Sequence, residues 1–439
     1  MKRLLKLLQF LLRLPGKLIG YIAMKQRARI SSEQLLQHAG APKLRQELVQ
    51  ELRQAWGMQV KAQQQQLEER QSESKKMQEY TKEERALIHR ILHETEQANR
   101  NNVTRTEAYR SIYFRCKELH WALLAHVVSR NGGWNMTDLQ GDLLPRLLDD
   151  GHRADTFLLL ERANSLIFGD AYPQLLLYEA SCKAGRELFE LLPAFQVSAF
   201  MAPVWSQFWK RRDSAMLTTA LIVNEQHVIE EPIVQSPFFK QHVLGQPSFL
   251  FQSPMQTNAV FMPYCKPDRT EKKLAGLILE DFSNLQERIE FGKRLYAILF
   301  GVPEVSSGVH AFVCAVPHTG SRADYAPQLF KKERDVAASS AEYTEKLNGC
   351  ELLEGATKLT SLELSSAWDD VPCKIADRED WFYTVADDVQ RYFEELPLPD
   401  VFDMTEEHCY ALNKIELAVL AAEGLRAAFQ GTRKGDKTS

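Results

Sequence analysis

Apolar residues recur at helical spacing along most of this chain of 439 residues, and this pattern constrains its fold more than any other feature. Between residues 283 and 300, for example, Leu285, Ile289 and Leu299 fall close to one side of a helix. Comparable patterns predict helices over 153–168, 172–192, 195–224, 379–396 and 405–429. Short strands are indicated at Thr219–Val223 and Ala311–Val316. The predicted fold class is therefore all-α, a multi-helical globular body without a detectable repeat.

The first twenty positions contain several basic residues and no acidic one. On a helix, Lys2, Arg3, Lys6, Arg13 and Lys17 fall within an arc of roughly 120°, and leucines occupy most of the remainder. A helix of this kind buries its leucines below lipid headgroups and keeps its charges beside anionic lipid. The pattern predicts an amphipathic membrane-surface helix over residues 1–30, on the inner face of the cell membrane.

Two other interpretations of this leader stay open. It has features of a secretory signal, with Ala23 near a cut site, although charges break its apolar stretch. It also suits a helix that docks on the protein's own core or on a partner. A transmembrane span is disfavoured because Lys6, Arg13 and Lys17 interrupt every apolar run before the ~20 residues needed to cross a bilayer.

The rest of the chain divides by composition. Residues 31–85 are rich in Gln and Glu and predict a helical spacer, in which Leu44, Leu48, Leu52 and Trp56 form a stripe that could pack on something. A helical body is predicted over residues 86–430, with halves at 86–230 and 268–430 joined by Pro-rich loops. Residues 431–439 are predicted to form a disordered tail.

Charge and cysteine content exclude some classes of protein. A net charge of −4 disfavours nucleic-acid binding, which normally needs a basic surface. The seven cysteines lie far apart, contain no CxxC pair and are odd in number. We therefore expect reduced thiols in a cytoplasmic protein, with neither a disulfide framework nor a zinc site. No sequence motif indicates a cofactor.

The stretch over residues 118–139 is unusually polar for a packed helix. Its glycines predict that one helix ends at Gly132-Gly133 and that a new helix begins at Thr137 or Asp138. Its Arg, Asn and Trp side chains also suit a recognition surface. The candidate ligand-binding residues here are Glu118, His120, His126, Arg130, Asn131, Trp134 and Asn135. No metal site is predicted, because the histidines lack the spacing of three or four residues that joint ligation on a helix needs.

A second polar stretch covers residues 317–330. The backbone N–H groups of Thr319, Gly320 and Ser321 could surround an anion, with His318 and Arg322 adding positive charge. Asp324 is expected to hold the Arg322 guanidinium. The candidate ligand-binding residues here are His318, Ser321, Arg322 and Asp324. The alternative is a structural turn whose Arg322 and Asp324 lock two helices together.

Four ordered motifs carry a resemblance to a known family. They are Asn-Asn-x-Thr-Arg-Thr at 101–106, His-Trp-Ala-x-x-Ala-His at 120–126, Ser-Arg-Asn-Gly-Gly-Trp at 129–134 and His-Thr-Gly-Ser-Arg-Ala-Asp-Tyr at 318–325. In these motifs the chain resembles an uncharacterised bacterial domain-of-unknown-function family found in Bacillus-like spore formers. The resemblance covers roughly residues 85–400 and implies no activity and no catalytic residues.

Two functions remain from the sequence. The first is a non-enzymatic, peripheral membrane protein of bacteria that acts as an interaction or scaffold module, with an anionic membrane surface and a protein as partners. The alternative is an enzyme or sensor that binds an anionic, phosphorylated or lipid-linked small molecule through the 118–138 and 318–325 motifs. The sequence leaves open whether the protein is an enzyme.

Overall fold

A computed structural model describes residues 20–69, 80–246, 258–265, 272–334, 343–373, 379–386 and 388–435. The described chain is predominantly helical, which confirms the predicted fold class. The leader residues Lys2, Arg3, Lys6, Arg13 and Lys17 lie outside the described residues, as do residues 436–439 of the predicted tail.

Most of the helices follow one another closely along the chain. They are α1 over 20–36, α2 Gln46–Glu69, α3 Lys82–Ala98, α4 Asn102–Arg115, α5 His120–Asp138, α6 Leu144–Leu147, α7 Asp150–Ala184, α8 Met201–Arg211, α9 Ser214–Ile229, α10 Pro237–Phe239, α11 Leu285–Gly301, α12 Pro303–Ala315, α13 Leu364–Ala367, α14 Phe382–Val385 and α15 Thr405–Gly435. Two π-helical turns, Glu230–Val234 and Lys240–Leu244, flank α10, and 3₁₀ turns occupy Phe189–Phe195, Arg322–Asp324 and Val389–Phe393.

The strands are short and form three separate pairs. Strand β1 (Ala259–Cys265) pairs antiparallel with β2 (Lys272–Ile278), so that Ala259 lies opposite Ile278. Strand β3 (Phe330–Lys331) pairs parallel with β6 (Leu359–Thr360). Strands β4 (Leu347–Asn348) and β5 (Glu351–Leu352) form a tight antiparallel hairpin. Within the described residues, these pairs remain three separate two-stranded sheets and do not form a continuous sheet.

Both predicted strands are wrong. Thr219–Val223 lies inside α9, and Ala311–Val316 lies in and just after α12. Residues 217–224 of α9 are buried on all sides, so their apolar run has no helical period to reveal it. The predicted break between residues 168 and 172 is also absent, because α7 continues through Pro173.

One continuous core joins the two predicted halves of the body. Its buried side chains extend along the chain from Leu44 to Val419. The stripe predicted for the spacer belongs to this core, since Leu48, Leu52 and Trp56 are almost completely buried. The apolar face of α2 therefore packs in the folded body, although the composition of residues 31–85 predicts a spacer.

Helix α1 docks on the body through its inner face. Met24, Ala28 and Ser32 are buried, and the Ser32 hydroxyl accepts the backbone N–H groups of Phe402 and Asp403. Two ion pairs also link α1 to the start of α15. They are Lys25–Glu407 and Arg27–Glu406. Residues 20–30, predicted to be part of a membrane-surface helix, thus contact the protein itself on one side.

Two further features differ from expectation. Cys350 and Cys409 form a disulfide, where the spacing of the cysteines predicted only reduced thiols. The two residues are 59 positions apart and become neighbours only when the β4–β5 hairpin packs on α15. Residues 431–435, expected in a disordered tail, continue α15.

No single helix among the described residues has both the length and the hydropathy needed to cross a membrane. The pair Leu285–Gly301 and Pro303–Ala315 meets it only when taken together, across a bend of 91°.

Candidate functional site

The two polar stretches predicted from the sequence meet inside the body. The C-terminal half of α5 packs against the loop over residues 317–326, and α4 covers the same side of α5. The Thr137 hydroxyl, for example, donates to the Gly320 carbonyl at 2.7 Å. All four family motifs contribute side chains to this region, which we call the motif cluster.

Arg322 lies at one end of the motif cluster and is only 6 % exposed. Its Nε donates to both carboxylate oxygens of Asp138, at 2.9 and 2.7 Å, and its terminal nitrogens donate to Asn135 and to the Tyr325 hydroxyl. Because Tyr325 accepts from Arg322, its own O–H donates to His408 Nε2 at 2.7 Å. The guanidinium is therefore held in place by protein acceptors.

The pKa values along this chain of contacts follow from burial and from the Arg322–Asp138 ion pair. Burial opposes the charge of Arg322, but Asp138 outweighs this effect and raises the pKa of Arg322. Burial, reinforced by the Arg322 charge, lowers the pKa of His408 to about 3. Burial raises the pKa of Tyr325 to about 12, although Arg322 opposes the shift. At neutral pH both rings are neutral, so this chain of contacts has only Arg322 and Asp138 as ions.

Asp324 does not hold Arg322, contrary to the prediction. It accepts instead from the backbone N–H and the hydroxyl of Thr319, at 2.9 and 2.8 Å, and lies 3.3 Å from Lys332 Nζ. The partner of Arg322 is Asp138, 184 positions away in the sequence. A local carboxylate thus caps the turn, and a distant one pairs with the arginine.

The predicted anion-binding turn already has internal partners. The N–H of Thr319 donates to Asp324, that of Ser321 donates to the Thr319 hydroxyl, and that of Arg322 donates to the Ser361 hydroxyl. The Ser321 hydroxyl in turn donates to the Ser361 carbonyl. These contacts support the alternative interpretation of this stretch, a structural turn.

Arg130 occupies the other end of the motif cluster and is about 1 % exposed. Its guanidinium donates to the carbonyls of Val316 and Pro317, at 2.8 and 3.2 Å, and lies over the Phe312 ring with the Trp134 ring nearby. Burial lowers the pKa of Arg130 to about 10, which leaves it charged at neutral pH. Arg130 therefore supplies donors to two carbonyls just beyond the end of α12.

Two buried histidines line the motif cluster in fixed tautomers. His126 Nδ1 lies 2.8 Å from the Thr106 carbonyl, which can only accept, so Nδ1 carries the proton. His318 Nε2 donates to Asn102 Oδ1 at 2.9 Å, because the Asn102 amide nitrogen is turned to the Ser129 carbonyl. The other ring nitrogens, His126 Nε2 and His318 Nδ1, have no hydrogen-bond partner in the described part of the chain.

These histidines are poor bases at neutral pH. Burial and the neighbouring Arg130 charge lower the pKa of His126 to about 3 and that of His318 well below its usual value. Within the described ranges, no group of three or more His, Cys, Asp or Glu side chains is arranged to hold a metal ion. The geometry thus favours two neutral rings that fix the packing of α4, α5 and the 317–326 loop.

The glycines of the third motif lie inside α5 and do not end it. A Cβ on Gly133 would lie 2.5 Å from Asn102 Oδ1 and 2.7 Å from His318 Nε2. Only glycine therefore leaves room on the surface of α5 for the hydrogen bond between these two side chains. A Cβ on Gly132 would lie 3.2 Å from the Asn164 amide. The predicted break is wrong because these glycines serve close packing and not a turn.

Not all candidate residues come together. Helix α5 has 19 residues and is about 28 Å long, with His120 at its start and Asn135 near its end. Glu118 precedes the helix and accepts from the Tyr178 hydroxyl, and His120 stacks on Phe300 at 4.0 Å. Burial lowers the pKa of His120 to about 4. Glu118 and His120 therefore belong to a different neighbourhood from Arg322.

Asn131 links α5 to the first strand. Its amide donates to the Phe261 carbonyl and accepts the Phe261 N–H, both at 2.8 Å, which is the pairing that a neighbouring strand would make. This candidate for ligand binding thus completes the hydrogen bonding of β1.

Two cavities border the Arg322 end of the motif cluster and share His408. The smaller, of about 50 Å³, has mostly apolar walls with Asp138 and Arg322 at its edge, and has room for only a few water molecules. The larger, of about 850 Å³, is an open groove between α1, β2, the β4–β5 hairpin and the start of α15, and includes Tyr325. Only the groove has the volume of a small-molecule site.

Sequence reasoning did not select several residues that shape this region. Asn102 and Tyr325 lie inside the quoted motifs, and this location in the sequence could have identified them as candidates. For Asp138 the sequence indicates only a helix cap. His408 carries no local signal, because it reaches the cluster from α15 through a contact 83 positions away in the sequence.

Fold and site together define a class: a predominantly helical protein in which the most polar stretches meet as a buried, mutually bonded cluster. A family model described as "Protein of unknown function (DUF2515)" matches residues 97–407, which is more than half of the chain. The protein therefore belongs to this family, in agreement with the resemblance in its four motifs.

A curated relative extends this comparison. The chain is 44 % identical over 240 residues to "Uncharacterized protein YppC" of Bacillus subtilis (strain 168), a match that covers 55 % of this chain and 73 % of the relative. No solved structure matches the chain significantly.

Proposed function

We propose that this protein is a non-enzymatic interaction or scaffold protein that its basic leader holds at the inner face of the cell membrane. The observation that carries the proposal is the pairing of Arg322. The sequence predicts Arg322 as a candidate for binding an anionic ligand. In the structure its guanidinium donates to Asp138, Asn135 and Tyr325. A cluster whose charges are paired internally stabilises one packing of the helices, which is what a binding scaffold needs.

The docking of α1 supports the membrane part of the proposal. Its ion pairs with α15 fix the point at which the leader joins the body. The outer face of α1 exposes Ile22 and Ile30, 53 % and 55 % accessible, beside the exposed Arg29. Apolar and basic side chains on one face suit the boundary between headgroups and acyl chains, so α1 would extend the leader's contact with lipid.

Vesicle binding tests the membrane part. In the test variant Lys2, Arg3, Lys6, Arg13 and Lys17 are all replaced by Gln, and co-sedimentation with vesicles of ~30 % phosphatidylglycerol in phosphatidylcholine is measured. Each basic residue near an anionic surface contributes about 1 kcal/mol, so we expect binding to weaken by roughly two orders of magnitude or more. The melting temperature should stay unchanged.

A matched control removes the same charge elsewhere. Arg53, Lys61, Lys82, Arg90 and Lys210 are exposed on the body, and their replacement by Gln also changes the net charge by five units. Vesicle binding equal to that of the parent protein is expected. If both variants lose binding equally, general attraction explains it and the leader has no special role; if neither loses it, the membrane proposal fails.

A second candidate is a sensor or enzyme for an anionic small molecule. The groove of about 850 Å³ beside Tyr325 and His408 favours it. Thermal shift with inorganic phosphate distinguishes the two candidates, because a scaffold whose Arg322 is paired predicts no shift. A rise of several degrees that disappears in Lys273→Gln, a variant of a basic residue that lines the groove, would support the ligand candidate and contradict the scaffold.

A further inference from the structure

The groove contains a disulfide as part of its wall. Cys350 and Cys409 both line it, together with Tyr325 and His408. Its volume of about 850 Å³ admits a molecule the size of an amino acid or a short peptide. A ligand in the groove is therefore placed beside an S–S bond.

The two cysteine residues differ in exposure. Cys350 is exposed at the tip of the β4–β5 hairpin, whereas Cys409 is 7 % exposed within the second turn of α15. An incoming thiolate therefore reaches Cys350, and Cys409 becomes the leaving group; its sulfur lies 3.6 Å from the Thr405 carbonyl, to which the protonated thiol can donate.

The hairpin remains attached when the disulfide opens. Asn413 of α15 bonds to both the N–H and the carbonyl of Gly349, and the Glu416 carboxylate accepts from the backbone of Lys346 and Leu347. Exchange at the disulfide thus alters the groove without requiring the hairpin to unfold.

Two side chains of opposite charge line the same groove with neither an ion pair nor a side-chain hydrogen bond among the described residues. Lys273 lies on β2, and Glu351 follows Cys350 on the hairpin. Of the other charges in the groove, Arg27 pairs with Glu406, and Asp403 accepts hydrogen bonds from the Ser31 hydroxyl and the Thr405 N–H. A carboxylate facing Lys273 and an ammonium facing Glu351 would complement both free charges.

We propose that the groove is a thiol–disulfide exchange site for a zwitterionic low-molecular-weight thiol of the cysteinyl type. The thiolate attacks Cys350 Sγ and forms a mixed disulfide, while the Cys350–Cys409 bond breaks and its electron pair leaves on Cys409 Sγ, which takes a proton from water. A second thiolate attacks the ligand sulfur and releases Cys350. In total, two thiols are oxidised to one disulfide and the protein disulfide is reduced to two thiols.

The test uses the full-length protein purified without reductant, with the exposed Cys182 and Cys314 replaced by Ser. The rate of Cys409 alkylation is measured during reduction by L-cysteine and, separately, by 2-mercaptoethanol, which has no charged groups besides its thiolate. We expect Lys273→Gln and Glu351→Gln each to lower the ratio of the two rates three- to tenfold. The ratio cancels general effects on thiolate attack. Lys210→Gln, an exposed site on α8, should leave it unchanged.

Mass spectrometry after rapid quenching locates the intermediate. The L-cysteine adduct is expected on Cys350, with Cys409 alkylated in the same molecule. Three results would overturn the proposal: rate ratios equal in all variants, an adduct on Cys409, or alkylation of both cysteines before any reductant is added.

Discussion

The motif cluster and the aromatic part of the core achieve burial by opposite means. Around α2 and α8, Trp56 stacks on Phe200 at 4.9 Å and Phe189 stacks on Trp205 at 5.5 Å, and both indole N–H groups have protein acceptors. In the motif cluster, by contrast, buried arginines and histidines hold the packing through hydrogen bonds. Exchanging one apolar core side chain for another of similar volume usually changes the stability of a protein little. Removing one partner of a buried ion pair, by contrast, strongly lowers the free energy of unfolding.

The largest difference between the two regions is expected in their response to acid. His126, His318 and His408 have folded pKa values well below the ~6.5 of an unfolded chain, so the unfolded state binds more protons and stability falls as pH falls below about 6.5. Between pH 7 and pH 5 each histidine should cost roughly 2 kcal/mol, which urea denaturation at several pH values measures.

His408→Gln makes this prediction specific, because the Gln amide oxygen can still accept from Tyr325. In this variant, the slope of the free energy of unfolding against pH should decrease by the contribution of about one proton. An unchanged slope would show that the fold does not keep His408 neutral.

Arg322→Met is expected to destabilise the protein more than any other single substitution in the two regions. It leaves the mostly covered Asp138 carboxylate without its cation, a loss of roughly 3 to 5 kcal/mol in the free energy of unfolding. The double variant Arg322→Met with Asp138→Asn should recover part of this loss in the same denaturation experiment. If the double variant is no more stable than the single one, the ion pair is not what holds this end of the cluster.

Gly133→Ala tests the close approach across α5. The added methyl group would overlap the Asn102–His318 hydrogen bond, and overpacking of this kind costs up to roughly 3 kcal/mol. Gly57→Ala in α2 is the matched control, because a Cβ at this position would meet no atom within 4 Å. Alanine there should raise the free energy of unfolding by roughly 0.5 to 1 kcal/mol. Similar effects of the two substitutions would contradict the assignment of Gly133.

The aromatic region should give the smallest effect. Trp205→Phe keeps a ring in place and removes the donor to Gln174, for a loss of roughly 1 to 2 kcal/mol. Thermal unfolding should show a single transition with a modest shift. A loss as large as that of Arg322→Met would remove the distinction between the two regions.

The sequence predicts helices well where only one face is buried. The helix predicted over 283–300 is α11, because its outer side stays polar and the period of 3.6 remains visible. Part of α9 resembles a strand in sequence because the helix is covered all round, and an apolar run alone does not distinguish a strand from a buried helix. Strand β1 lies within the segment between the predicted halves, whose prolines predict only loops.

The site was predicted in its parts but not in its pairing. The four motifs selected most of the side chains that meet, and they did so through the resemblance to a family. The partner of Arg322 could not be inferred, because Asp324 is close in sequence whereas Asp138 becomes close only through folding. Gly133 and the Cys350–Cys409 bridge depended in the same way on contacts between distant segments.

The pairing of α1 with α15 has a consequence for synthesis on the ribosome. Arg27 and its acceptor Glu406 are separated by 379 positions, so at roughly 5 to 20 residues per second the first helix emerges some 20 to 75 s before its partner exists. During that interval the buried face of α1 has no α15 to cover it. A newly made leader and its adjoining helix are thus available to lipid or to a chaperone before the body can close over them.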